Sequence, residues 1–486
     1  MANEKNKGIT LVVLIISIIV MLILVAVVLA VALGENGIIN NTKESKEETT
    51  VEMEKEKLLD AVFATVGSSG EVNLENIILP EGFKEISSYE NKVIYQGPSG
   101  QLYEVENITG KITEIEEEPG ELEITTETKG VTFTKADGVT PGDPNNLKNG
   151  DIVIYGDYKY TYKNGGWSVS VLDKTKEKYG EIATAIYGNP IISLYSTFNG
   201  CANMKVSPEI PEGVEDISNA YVDCALLTGI PKIPSKTTRM VYAFYNCNSI
   251  DGEVTVPSGV KSLECAFYNC KSLTKTPKLS EGITNLRYAF YNCSALTTAP
   301  EIPKTTTGLI STFNGCRSLK EAPIIPYGVT NMGSTFGNCT SLKKAPEIPN
   351  SVTMMEYTFS GCSLLEEAPE IPNSVTNMTK AFYNCTSLTK VPKLPEGITN
   401  LEYTFYNCST LITAPEIPST VTNMVRTFQN CYKLQGEITI NSSPTTYTYC
   451  FYQAGKDGTG IVLKGKSTVL NELAATNTHG KVTVGN

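Results

Sequence analysis

Thr358 to Met378 reads TFSGCSLLEEAPEIPNSVTNM. A phenylalanine stands three residues before a cysteine, a leucine follows, and an Ile-Pro pair leads to a valine and a methionine. Outward from this stretch, the cysteine recurs every 23 residues as Cys201, Cys224, Cys247, Cys270, Cys293, Cys316, Cys339, Cys362, Cys385, Cys408 and Cys431. Each has an aromatic three residues before it, from Phe198 and Tyr221 to Phe405 and Phe428. The register continues at Phe451, where Ala454 replaces the cysteine, giving twelve units without insertion or deletion. About five apolar side chains per unit gain roughly 10 kcal/mol by burial. Ordering the backbone of one unit costs on the order of 30 kcal/mol. A single unit cannot fold alone, so the period predicts a stacked solenoid in which neighbours complete each other's core.

The motif C-x-x-L-x-x-x-P-x-I-P-x-x-V-T-N-M-x-x-T/A-F resembles the BspA-type leucine-rich repeat over roughly Leu194 to Ala454. The resemblance implies a curved, right-handed, β-rich leucine-rich-repeat solenoid whose short parallel strands make one face. At ~4.8 Å per strand, twelve units would extend about 58 Å. Ala-Pro pairs (Ala299-Pro300, Ala345-Pro346, Ala414-Pro415) stand where many members of that family have Ile. Proline cannot donate to a ladder, so the strands are expected to be short or broken there.

Thirteen cysteines invite a disulfide framework, but equivalent residues in successive rungs point the same way, whereas a bridge needs Cβ atoms converging to ~3.8 Å. The eleven ladder cysteines are therefore read as a structural column of small buried thiols. Cys265 and Cys450 lie outside that column. There is no CxxC spacing, and the one histidine, His479, sits near the C-terminus, so no metal site, cofactor or catalytic constellation is expected. The formal charge of −12 argues against nucleic acid as a partner. Stacking aligns Tyr245, Tyr268, Tyr291, Tyr383 and Tyr406 after the repeat phenylalanine, and Tyr242, Tyr288, Tyr357 and Tyr403 two residues before it. These columns are the candidate interaction face, because exposed tyrosine is a favoured contact residue, although packing between rungs would also place them there. Glu356, Lys380, Glu402 and Arg426 are read as sharing one repeat place, which suits an interaction surface and a solvated face equally.

Ile9 to Leu33 is an uncharged run of 25 residues, preceded by Lys5 and Lys7. It is long enough to cross a bilayer, and its flanks favour an inside N-terminus. Lys7-Gly8-Ile9-Thr10-Leu11 resembles a type IV prepilin signal, which implies cleavage between Gly8 and Ile9. Val13 stands where most pilins carry the glutamate that pairs with a neighbouring subunit. Thr42 to Ala64 reads as a charged continuation of the helix, and Lys92–Tyr95 and Leu102–Val105 as two short strands around a turn. Asp151–Tyr155, Tyr158–Tyr162 and Trp167–Val171 read as an aromatic meander that would cap the solenoid.

The expected organisation is a prepilin-like signal and transmembrane helix (1–34), a helix extension with a small pilin-like α+β region (35–115) and an acidic linker (116–129). A β-hairpin module and N-terminal cap (130–190), repeats (191–454) and a C-terminal cap (455–486) follow. The expectation is a single-pass cell-membrane protein with its bulk outside, binding an extracellular protein or glycan and catalysing nothing. The alternative is a minor pilin-like subunit with pilin-like assembly partners.

Overall fold

The computed structural model describes residues 44–65, 72, 74, 77–89, 92–96, 98, 101–106, 111–115, 122–477 and 481–485. The apolar run Ile9–Leu33 and the Gly8–Ile9 processing site lie outside the described residues. Among the described residues no helix is long and apolar enough to cross a membrane. The chain divides into two compact units, Met1–Gly120 and Glu121–Asn486.

In the first unit, helix α1 (Glu44–Phe63) is rich in Glu and Lys with no glycine or proline, a composition that favours helix. Glu54, Leu58 and Val62 fall four residues apart and are all buried, so they share one helix face. They share a core with an antiparallel meander of β1 (Lys84–Tyr89), β2 (Lys92–Gln96), β3 (Leu102–Glu106) and β4 (Ile112–Ile115). Leu58 and Val62 cluster with Phe83, Tyr95, Tyr103 and Val105. The Tyr103 hydroxyl donates to Glu54 Oε2 at 3.2 Å, so the buried carboxyl is partnered. The two runs singled out in the sequence are the central strands; the polar KEISSY of β1 shows no clean alternation and was not among them.

The second unit starts inside the stretch read as an acidic linker. β5 (Glu123–Ile124) buries Ile124 and pairs in parallel with β10 (Ala185–Ile186). Within that stretch Leu122 and Ile124 pack on the core, which seats the short strand among acidic residues. The remaining strands of this sheet are β6 (Thr132–Thr134), β7 (Ile152–Tyr155), β8 (Tyr158–Lys163), β9 (Gly166–Val171) and β11 (Asn189–Ser193), in the order β5-β10-β11-β9-β8-β7-β6. Trp167 is fully buried and donates from Nε1 to the Ile186 carbonyl at 3.1 Å. Tyr179 lies edge-on to Phe198 at 5.3 Å, so the sheet's aromatic core runs directly into the first rung.

Within the repeats, parallel pairing is reduced to single-residue bridges, such as Asn285↔Gly308, Gly308↔Asn331 and Asn331↔Met354. Between these bridges a different ladder takes over. The amides of Leu286, Tyr288, Phe290 and Asn292 donate to the next rung at Gly308, Ile310, Thr312 and Asn314, at 2.6–3.0 Å. The intervening amides of Ala289, Tyr291 and Cys293 fold back to Leu286, Tyr288 and Phe290. Alternate residues thus hold the rungs together and close tight turns, which a flat strand could not do. The Ala-Pro and Ile-Pro segments lack donors for a second continuous strand; there, single bridges such as Glu321↔Lys344 and Lys344↔Glu367 remain. The repeat phenylalanines stack near-parallel, with Phe313–Phe336 and Phe336–Phe359 both at 5.7 Å. Around the last unit, β12 (Gly436–Thr439), β13 (Ile461–Lys464) and β14 (Val482–Val484) pair in parallel, and the short helix α2 (Leu470–Ala475) buries Leu473.

Candidate functional site

Each turn that carries the cysteine has an inward and an outward side. All thirteen cysteines are free and buried, and the eleven of the ladder line the inward side. Each ladder thiol from Cys224 onward donates to the carbonyl of the preceding rung's aromatic, as Cys293 Sγ does to Phe267 O and Cys316 Sγ to Phe290 O, both at 3.1 Å. Burial pushes these thiols up, to about 12 at Cys362. They stay protonated near neutral pH, which removes the thiolate that nucleophilic or metal chemistry needs. Cys450 takes the place that threonine holds in several rungs, such as Thr404 and Thr427, and Cys265 takes a place on the outward side.

Two residues in every unit have left-handed backbone. The inner place, directly before the cysteine, is Asn, Gly, Asp or Gln throughout, as at Asn269 (φ 59°) and Gly315 (φ 79°). Asparagine and glycine tolerate this conformation. Asparagines also form a ladder there: Asn269 Nδ2 donates to Asn246 Oδ1 and Asn292 Nδ2 to Asn269 Oδ1, both at 2.8 Å. The backbone and this ladder account for the asparagine that recurs before the cysteine, as at Asn292, Asn338, Asn384 and Asn407.

The outer place lies five residues before the cysteine. It holds Tyr242, Cys265, Tyr288, Tyr357, Lys380, Tyr403, Arg426 and Tyr449, with serine or asparagine in the other four units, all at φ of 52–58°. Bulky non-glycine residues are uncommon in that region, and each costs on the order of 1 kcal/mol. The tyrosines after the repeat phenylalanine flank this outer column. Tyr245–Tyr268 and Tyr268–Tyr291 stack at 4.6 and 4.5 Å, and Tyr242 and Tyr288 lean on them at 5.5 and 6.0 Å. A second cluster pairs Tyr383 with Tyr406 at 4.8 Å, with Tyr403 tilted against both. Between the clusters the same columns hold Ser311, Asn314, Ser334, Gly337 and Ser360, so two aromatic patches flank a stretch of small residues.

Sequence reading grouped Glu356, Lys380, Glu402 and Arg426 at one repeat place. The register corrects this: the glutamates share one place, while Lys380 and Arg426 occupy the outer tyrosine column itself. There they alternate with rings. Lys380 Nζ sits 4.9 Å from the Tyr357 centroid and 5.1 Å from that of Tyr403. Arg426 Cζ lies 5.5 Å from the Tyr403 centroid and 4.9 Å from that of Tyr449. Lys380 also donates to the Tyr357 hydroxyl at 2.7 Å, which raises the ammonium pKa. Such contacts contribute about 0.5–1 kcal/mol each at exposed sites. Glu402 accepts from Asn423 Nδ2 at 3.2 Å. The 23-residue arithmetic alone places both cations in the column between tyrosines; the cation–ring contacts needed the structure. Tyr268 is pushed up to about 12, first by burial and then by Tyr291 and Tyr245. Tyr242 rises to about 12 beside Cys265.

The family model for the BspA type leucine rich repeat region matches six copies here, over residues 191–297, 241–366 and 353–474. Among solved structures, a leucine-rich repeat protein from Bacteroides ovatus is similar at 21% identity, over 68% of this chain and 99% of its own, with a TM-score of 0.45. A leucine rich cell surface protein from Faecalibacterium prausnitzii is similar at 21% identity over 68% of this chain and 98% of its own, TM-score 0.43. The pneumococcal vaccine antigen PcpA aligns at 12% identity over 70% of this chain and 100% of its own, TM-score 0.35. No curated protein matches.

Proposed function

Because the chain belongs to the BspA-type leucine-rich-repeat family, we propose that it is a cell-surface binding protein whose solenoid meets a protein or glycan partner through the tyrosine face. The observation that carries this reading is the outer left-handed place. Glycine or asparagine would relax the backbone there, and asparagine does occupy it at Asn219. Tyrosine, lysine and arginine hold it instead in the two aromatic patches. Strain retained in register over so many units supports a surface role rather than a folding one. The test is binding of the whole chain to matrix proteins and a glycan array, with Tyr357, Tyr403 and Tyr449 changed together to asparagine. Binding at least tenfold weaker in the folded triple variant is expected; unchanged binding would move the function elsewhere.

On the same reading the apolar run Ile9–Leu33 tethers the protein, and the aromatic sheet ending at β11 caps the solenoid's open core. A solenoid starting near Pro190 that stayed soluble and monomeric would count against the cap. The resemblance around Gly8–Ile9 supports a second reading, a minor pilin-like subunit bearing the solenoid on a filament. Mass measurement of the mature N-terminus in membrane and sheared-filament fractions separates the two. Recovery only in the membrane fraction, uncleaved, would sink the filament.

A further inference from the structure

On a different edge of the solenoid, one unit departs from all the others. The residue just before the repeat isoleucine is Glu, Lys or Thr in every unit from Glu209 to Thr439, except at Ile324. Three residues on, where Lys304, Asn350, Asn373 and Ser419 stand in neighbouring units, this unit has Tyr327. Both side chains project into solvent: Ile324 is 89% exposed and Tyr327 77%. Neither contributes to the core, which the unit completes with Ile325 and Val329. A repeat protein provides its own control here, because adjacent rungs solve the same folding problem with polar residues at both places. Isolated exposed apolar residues are ordinary on a surface. Two in one rung, both where every sister rung is polar, call for a partner.

The surroundings specify the partner's chemistry. Glu301 and Glu347 occupy the place of Ile324 one rung to either side, and both are exposed. Neither makes an ion pair among the described residues, and Glu370 extends the acidic column one rung further. The cations beside these residues in the two columns are Lys304, in the rung of Glu301, and Lys278, one rung before it. The aromatic rungs here, Phe290–Phe313 and Phe313–Phe336, are 5.7 Å apart, so two rungs advance the stack by roughly 11 Å. Seven residues of α-helix rise about 10.5 Å. A helix lying along the solenoid axis could therefore set cations at i and i+7 over Glu301 and Glu347, with apolar residues at i+3 and i+4 over Ile324 and Tyr327. We propose that Ile324, Tyr327, Glu301 and Glu347 form a docking point for a basic amphipathic helix of a protein partner. This holds whatever binds the tyrosine face.

The probe is a labelled synthetic helical peptide with Lys at i and i+7 and Leu at i+3 and i+4, titrated into the full chain in detergent and followed by anisotropy. The variant I324E/Y327N rewrites the unit with residues its neighbours already use, so it should fold as the parent does, which circular dichroism checks. Expected is an affinity loss of about tenfold or more in that variant, a comparable loss in E301Q/E347Q, and weakening by salt. Equal binding by parent and variant, no measurable binding by the parent, or equal binding of an acidic peptide would each overturn the proposal. So would concentration-dependent self-association of the parent that I324E/Y327N abolishes, since the occupant would then be a second copy.

Discussion

The inner and outer left-handed places of each turn share a backbone conformation and are filled by opposite rules. At the inner place Asn, Gly, Asp and Gln suit the backbone, and the asparagines bond from rung to rung. At the outer place Tyr, Lys and Arg resist it, and they are half-buried or, at Tyr357 and Tyr449, exposed. Local conformational preference therefore chose the inner residue. The outer one answers to something beyond the turn.

The largest separation between the two sides should come with alkali. A thiol whose pKa rises on folding contributes stability that is complete below its unfolded value, ~8.5, and is lost as pH climbs through the folded value. Cys362 at about 12 marks that window. Each such thiol contributes a slope of about −1.4 kcal/mol per pH unit. The urea midpoint of the repeats should therefore fall steeply between pH 8.5 and 10, before the tyrosines matter. Tyr268 follows the same sign over a later window, between about 10 unfolded and about 12 folded. A midpoint flat to pH 10 would mean the thiols are not protonated spacers.

Next in size is Asn269→Val, which puts a β-branched residue at φ 59° and removes both ladder bonds. Denaturation should show a loss of about 3 kcal/mol, against about 1–2 for Asn269→Gly, which keeps the backbone at ease. Equal losses would show that the side-chain ladder, not the conformation, decides the inner place. Cys316→Ala removes one weak S–H donor to Phe290 and a small volume; about 1 kcal/mol is expected from the same measurement. The smallest change in stability is expected at the outer place. Tyr357→Asn relieves the backbone and loses one cation–ring contact and the exposed hydrogen bond from Lys380; gain and loss offset, so unfolding should shift by no more than ~0.5 kcal/mol either way. Partner binding should still fall. A marked destabilisation there would make the outer tyrosines structural and remove the contrast.

The cysteine–aromatic period made the solenoid legible because identical units impose one register, and any buried position repeats every 23 residues. The central strands β2, β3, β7, β8 and β9 were legible from alternation and turn signals. β1 and β5 were not, since KEISSY and Glu123–Ile124 become strands only by pairing with neighbours. The tyrosine columns were legible as columns, and spacing also puts Lys380 and Arg426 in them, whereas the contact of each cation with its neighbouring rings was not legible.

By itself, then, the sequence determined the period, the units, the buried columns and which residues align from rung to rung, because those depend only on spacing. Tertiary structure alone decided that the rungs join through alternate amides of left-handed turns rather than through strands. It also decided that the outer place is conformationally costly and that Ile324 and Tyr327 stand in solvent. Backbone handedness and exposure arise only when one rung meets the next, so no single unit carries them in its residues.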